Sequence, residues 1–478
     1  MERRQFMQQA MMAGAALTLS SLTKSALGAP MVADFPVVRI PEAQRKFKSK
    51  AVEALIAKIQ HHISNKELAW MFGNCFPNTL DTTVAFNVVD GKPDTYVITG
   101  DIDAMWLRDS SAQVWPYLPL CKEDKDLQQL IAGVIHRQAK NILLDPYANA
   151  FYKDSSQESE WKKSDITDMK PGIHERKWEI DSLCYPIRLS HGYWKATGDT
   201  TPFDGAWLAA MQTVIKTFVE QQRFQGKGPY TFQRNTAFAT DTIPMGGYGY
   251  PVKPNGLICS MFRPSDDATI YAYLIPSNFF ALESLIQLQE MGKAISSLSA
   301  LVAPAAALAT QVKTALDTHA KVQHGTLGNI YAYEVNGFGS VNLMDDANIP
   351  SLLAMPYLNA VQVDDPVYQN TRRFVLSPDN PFFFKGSAAE GVGGPHVGLD
   401  MIWPMSIVMR GLTSTDDQEI KWCLDTLQKT HAHTGFMHES FHKDDPSKYT
   451  RKWFAWSNTI FGEFVWKVYR ERPHLLKA

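Results

Sequence analysis

Cysteine is scarce in this chain of 478 residues: there are five, Cys75, Cys121, Cys184, Cys259 and Cys423, and no two form a C-x-x-C pair. That excludes a disulfide-stapled scaffold, a zinc ribbon and a dithiol redox motif, and reads the thiols as buried side chains. Long apolar runs are missing too. The apolar run over residues 11–22 is far shorter than a bilayer crossing requires. Charge of one sign is not in excess: the formal net charge is −2, and the one basic cluster, residues 45–50 (RKFKSK), reads as a solvated face near a helix start. No nucleic-acid partner is therefore expected. There is no G-x-S-x-G elbow, no phosphate-cradling G-x-x-x-x-G-K-[ST] and no G-x-G-x-x-G. Residues 391–395 (GVGGP) are glycine-rich but lack the strand-to-helix context of a phosphate loop. No stretch rich in Pro, Ser or Gly marks a linker, so residues 30–478 read as one domain.

What is present begins at the N-terminus. Arg3-Arg4 precede the apolar run, Lys24 follows it, and small residues continue to Ala29. This is the pattern of a twin-arginine export signal over residues 1–29, which predicts a periplasmic location with no stable membrane insertion. Downstream, apolar residues recur at helical spacing: Val52, Leu55, Ile56, Ile59 and Ile63; Leu127, Ile131, Val134 and Ile135; Trp207, Met211, Val214, Ile215 and Phe218. Residues 279–291, 298–319, 419–430 and 459–470 read the same way. Alternating strand patterns are confined to residues 95–99 and 230–233. The chain is mostly α. Periodic helices alternate with loops dense in Trp, Gly and polar residues, which suits an (α/α) toroid of paired inner and outer helices.

Five loops concentrate the acids. The first, within residues 99–117 (TGDIDAMWLRDSSAQVWPY), packs Asp101, Asp103, Trp106, Arg108, Asp109 and Trp115 into a short span. Sugars are bound by that mixture, with carboxylates and guanidinium for hydroxyls and indole faces for ring C–H groups. A structural ion-pair knot around Arg108 is the alternative. The others hold Glu179 and Asp181; Asp266 and Asp267; Asp345, Asp346 and Asn348; and His438 and Glu439. Glycoside hydrolysis needs two carboxyl groups across the scissile bond, and these loops offer them. Ser265-Asp266-Asp267 equally reads as a helix N-cap, and Asp345-Asp346 as a cap or turn. Residues 438–442 (HESFH) match the H-E-x-x-H zinc motif, with Glu463 as a distant third ligand. That chemistry requires a stable helix, and Gly435 before it and Lys443-Asp444-Asp445-Pro446 after it argue against one.

Taken together, TGDIDAMWLRDSSAQVWPY, ERKWEIDSLCYPIRL, FRPSDDATIYAYLIPSNFF, LMDDANIPSLLAMPYL and GFMHESFHKDDPSKYTRKWFAWSN resemble the glycoside hydrolase family 125 enzymes, exo-α-1,6-mannosidases, from about residue 45 to residue 472. The resemblance implies an (α/α)6 barrel, release of non-reducing-end mannose with inversion, and no metal or cofactor. Motif by motif, it implies Glu439 as the base that activates water, and Asp266, with Asp267 its rival, as the general acid. It implies His438 beside Glu439 at the sugar, and Asp101, Asp103, Trp106, Arg108 and Asp109 around the terminal mannose. Glu179, Asp181, Asp345, Asp346 and Asn348 are weaker candidates for the same pocket, and Arg234 for the next sugar. The implied partner is an oligosaccharide with terminal α-1,6-mannose, acted on by a monomer. Competing readings are another toroid glycosidase such as an α-glucosidase, a zinc metallopeptidase using His438, Glu439 and His442, and a catalytically inert sugar-binding protein.

Overall fold

The computed structural model describes residues 35–477, so the export-signal expectation for residues 1–29 lies outside the described residues. Thirteen α-helices occur among them: α1 (Lys50–His62), α2 (Lys66–Cys75), α3 (Asn78–Thr82), α4 (Leu107–Val114), α5 (Lys125–Leu144), α6 (Ile180–Thr197), α7 (Gly205–Gln221), α8 (Ile275–Ala294), α9 (Val302–His319), α10 (Pro366–Val375), α11 (Pro404–Leu412), α12 (Asp417–Thr430) and α13 (Ala455–Glu471). None of the described helices is long and apolar enough to cross a membrane.

From α2 onward the chain alternates between an outer and an inner layer. The outer members are α2, α5, α7, α9, α10 and α12. The inner members are α4, α6, α8, α11 and α13, with residues 351–359, wound as consecutive turns, in the remaining inner position. Inner neighbours pack side by side, α13 on α4, α4 on α6, α6 on α8, and α11 on α13. The 351–359 segment is held by Tyr185 Oη donating to Ile349 O (2.9 Å) and Tyr368 Oη to Leu353 O (2.9 Å). Six outer–inner pairs closed in a ring make the (α/α)6 toroid that the alternation of helices and loops predicts. Its core is one continuous apolar cluster running around the ring.

Except at α9, which follows Leu301 with no side-chain cap, the two layers begin their helices differently. Ser49, Asn65, Asp124, Asp204, Asp365 and Asp416 cap α1, α2, α5, α7, α10 and α12, each side chain accepting backbone N–H groups of the first turn. The inner helices α4, α6, α8, α11 and α13 start instead after Trp106, Glu179, Leu274, Trp403 and Phe454, with no side-chain cap bond. Their N-terminal ends, which carry partial positive charge, therefore point unshielded at one end of the ring.

That end is built from six long outer-to-inner connections, rim loops one to six: residues 83–106, 145–179, 222–274, 320–350, 376–403 and 431–454. Seventeen strands occur among the described residues, most of two or three residues, too short for an alternating pattern to register in the sequence. They join loops. Met105–Trp106 pairs with Ala150–Phe151, Asp165–Ile166 with Gln233–Arg234, Tyr273–Leu274 with Glu334–Val335, and Met401–Ile402 with Ser440–His442. A bridge between Gly100 and Phe454 links loop six to loop one, and Ala347 N–H donating to Gly393 O (2.9 Å) links four to five. The rim is thus hydrogen-bonded around its whole circumference, which fixes long connections that would otherwise be free to move.

Gly462 shows how closely the layers approach. A Cβ there would lie 2.6 Å from Phe76 Cδ2 and 2.8 Å from its Cα. Gly462→Val is expected to destabilise the fold by about 1–3 kcal/mol through overpacking, read as a lower urea midpoint at unchanged slope.

Candidate active site

The rim loops converge on a small cavity at this end of the ring. Loop one supplies Thr99 and Trp106, and the first turn of α4 adds Arg108 and Asp109. Loop three supplies Pro264, Ser265 and Asp266, loop four Asn348, and loop five His396 and Trp403. Loop six supplies Glu439, Arg451 and Phe454, followed by Trp456 on α13. Indole and phenyl faces alternate with charged groups, which suits a pyranose with apolar faces and polar edges.

Arg108 organises one wall. Its Nη1 donates to Glu179 Oε2 at 2.6 Å and to Asp181 Oδ2 at 3.4 Å, its Nη2 to Asp266 Oδ1 at 2.9 Å, and its Nε lies 3.4 Å from Asp109 Oδ2. Burial pushes the Glu179 carboxyl well above the usual range, and its hydrogen bond with Asp266 acts in the same direction. Burial also raises Asp181 to about 6, against the pull of Arg108. Glu179 and Asp181 are fully buried behind the guanidinium and support the wall without reaching the cavity.

Asp266 sits in the left-handed region at φ 64°, in a tight loop closed by Arg263 N–H donating to Asp267 O (2.7 Å) and Asp266 N–H donating to Arg263 O (2.9 Å). Lys177 Nζ donates to the Asp266 carbonyl at 2.8 Å and Asn149 Nδ2 to its carboxylate at 3.3 Å. A non-glycine residue held at positive φ by this many contacts is typical of functional loops. The nearest helix, α8, begins only at Ile275, so Ser265-Asp266-Asp267 is not its cap. Asp267 turns away from Asp266, its Oδ1 3.3 Å from His396 Nδ1.

Across the ring stands Glu439. Its Oε1 is 3.5 Å from Arg451 Nη1, while Oε2 is buried with no protein hydrogen-bond partner. The neighbouring residues 440–442 form a strand, so the H-E-x-x-H match occupies no helix and the metallopeptidase geometry is absent. His438 is buried, and its ring stacks on Tyr449 at 3.7 Å; burial lowers it to about 4, leaving it neutral. It adjoins Glu439 in the chain and is not among the residues that line the cavity. Elsewhere, Glu67, His431 and His433 bring potential ligand atoms within 4.8 Å of one another. There, however, His431 Nδ1 accepts Gly435 N–H (3.1 Å), which places the ring proton on Nε2, facing Glu67 Oε1 at 3.1 Å: a hydrogen bond occupies the ligand position.

Other expected residues are redistributed. Asp101 is exposed at the rim, where its carboxylate accepts from Arg451 Nε (2.8 Å), and Asp103 accepts from Tyr96 Oη (3.4 Å). Asp345 accepts the backbone N–H groups of Leu352 (2.8 Å) and Leu353 (3.0 Å) and caps the 351–359 segment; burial raises it to about 8. Asp346 orients Asn348, accepting its Nδ2 at 3.1 Å. Arg234, expected to meet a second sugar, is buried against Asp165, Glu175 and Asp241 with its guanidinium 4.1 Å from the Trp161 ring, so it buttresses the wall behind Asp266. His396, Trp403, Arg451, Phe454 and Trp456 were not singled out from the sequence. The signal available was the recurrence of an aromatic residue just before three inner helices, Trp106, Trp403 and Phe454.

A helical toroid whose rim loops bring carboxyls and aromatic faces to one pocket fits a glycoside hydrolase. The family model for metal-independent α-mannosidases, GH125, matches residues 65–466, and the chain belongs to that family. It is 42% identical over 459 residues to a Schizosaccharomyces pombe protein named meiotically up-regulated gene 157 protein, covering 92% of this chain and 90% of that one. A Streptococcus pneumoniae metal-independent α-mannosidase, solved in a non-productive complex with α-1,6-mannobiose, is 40% identical and superposes with a TM-score of 0.85 over 89% of this chain and 100% of that one. A bacterial glucoamylase bound to acarbose shares the fold at 11% identity, with a TM-score of 0.51 over 90% of this chain and 58% of that one.

Removing the guanidinium leaves four carboxyls facing one another. Arg108→Met is expected to destabilise by about 3–5 kcal/mol. Because the folded state holds Glu179 and Asp181 protonated above their ordinary range, their contribution to stability is present at low pH and lost as pH rises through about 6 for Asp181. Denaturant titrations should therefore show a larger deficit at pH 8 than at pH 5.

Proposed function

We propose that this α-mannosidase releases single mannose units from the non-reducing end of α-1,6-linked substrates, with inversion. Asp266 protonates the departing oxygen and Glu439 activates the attacking water. One observation carries the reading: Asp266 and Glu439 face the same small cavity from loops three and six, opposite one another on a six-membered rim, and Glu439 Oε2 is buried without a protein partner. Inversion requires the two carboxyl groups to stand about 6.5–9.5 Å apart, with room for water between them, rather than the roughly 5 Å of a covalent mechanism. The streptococcal relative's complex with α-1,6-mannobiose supports the linkage.

The test is hydrolysis of α-1,6-mannobiose, with and without EDTA, followed by NMR of the first product anomer. β-Mannose appearing first, at a rate indifferent to EDTA, is expected. α-Mannose appearing first overturns the inversion, and loss of activity in EDTA overturns metal independence. Glu439→Gln and Asp266→Asn should each lower kcat by about 10²–10⁴-fold. A dinitrophenyl mannoside, whose leaving group needs no proton, should restore Asp266→Asn but not Glu439→Gln. Restoration of Asp267→Asn instead moves the acid to Asp267.

The twin arginines support export to the periplasm. A reporter fused to residues 1–34 should be exported, and replacing Arg3 and Arg4 by Lys should abolish that. Continued export of the doubly substituted fusion overturns the twin-arginine assignment.

A further inference from the structure

We infer that Arg451 is a positioning residue for the reaction: a guanidinium clamped between Asp101 and Glu439 that fixes one carboxylate oxygen of the base, so that the other points at the water. The inference rests on the role proposed for Glu439. Oε1 of Glu439 lies 3.5 Å from Arg451 Nη1, whereas Oε2 is buried and without a protein partner. A carboxylate held at one oxygen presents the other in a defined direction, which is what delivery of water to a single face of the sugar requires.

The clamp itself is built rigidly. Arg451 Nε donates to Asp101 Oδ1 at 2.8 Å and Nη2 to Thr99 Oγ1 at 3.1 Å, and the guanidinium lies over the Phe454 ring at 4.6 Å. The backbone of Arg451 is left-handed, at φ 43°, a conformation that a long side chain adopts only when its surroundings impose it. The segment carrying Asp101 is pressed against it. Gly100 has φ 127°, and a Cβ there would lie 2.2 Å from Trp453 O, so only glycine permits this approach. Asp101 N–H then donates to Trp453 O at 3.3 Å and Ala455 N–H to Thr99 O at 3.0 Å. Loops one and six are thereby locked together at the point where the base is held. This gives Asp101, which lies at the exposed rim, a task that does not require contact with the sugar.

The experiment measures kcat and KM on α-1,6-mannobiose for Arg451→Ala, Arg451→Lys and Asp101→Asn, with thermal melts on each. Arg451→Ala is expected to lower kcat by about 10²-fold with KM within about threefold of the parent. Added guanidinium should restore part of the rate. Arg451→Lys should recover some of it, because one ammonium cannot span both carboxylates as a planar fork does. Asp101→Asn should lose less than Arg451→Ala, in kcat again. Near-parental kcat in Arg451→Ala overturns the inference, and so does a rise in KM at constant kcat. A kcat loss that matches the loss of folded protein, with no rescue by guanidinium or lysine, overturns it as well. If Arg451→Ala does not fold, Asp101→Asn and guanidinium-free Arg451→Lys decide. Glu439→Gln in the same assay separates the two levels: if it stays active, the base assignment fails. If it is inactive while Arg451→Ala is intact, only the clamp fails.

Discussion

The buried guanidinium of Arg108 is the interaction on which the site depends. It emerges from the first turn of an inner helix and touches carboxylates from loop two (Glu179), the first turn of α6 (Asp181) and loop three (Asp266), while lying beside Asp109. Four acids converging on one buried point would repel one another without it, and the guanidinium fork can satisfy several at once because its donors are planar and fixed. The same contacts determine where Asp266 sits. Behind them Lys177 and Arg234 form a second basic layer with Glu175, Asp165 and Asp241, so the wall is a laminate of alternating charge.

The inner helices add a weaker field of the same sign. Their first turns carry no side-chain caps, and those of α4, α11 and α13 adjoin the cavity, whereas the outer helices other than α9 are closed by Asn or Asp. Aromatic residues take the cap positions of three inner helices. A cap side chain would fill the space a ligand needs, and an indole there provides a surface for the sugar. The uncapped inner ends thus accord with a binding function, at some expense in local helix stability. The hydrogen-bonded rim restores rigidity at that end.

Legibility in the sequence varied with the range of the signal. Helix spacing and the five acidic loops were plain, and four of those loops do place a residue on the cavity wall. The weaker assignments divided by depth. Arg234, Glu179 and Asp181 are of the right chemical type but lie one layer back. His438 lies beside Glu439 in sequence yet faces Tyr449, because consecutive residues leading into a strand point to opposite sides. By sequence Asp345 and Asp346 suit caps and ligands equally, and backbone N–H groups claim Asp345. His396 sits in a glycine-rich loop whose local pattern points at most to phosphate and carries no sign of a sugar pocket.

By itself the sequence determined the helical alternation, the composition of the loops and the set of acids from which a hydrolase could be made. These follow from periodicity and side-chain chemistry within a turn or a loop. Tertiary structure decided which acids share a cavity and which are consumed by Arg108, Arg234 or backbone N–H groups. It also decided that loops three and six stand opposite each other, and that Arg451 reaches Glu439. Those outcomes depend on closure of a ring that brings residues hundreds of positions apart into contact, and no local pattern encodes a distance across it.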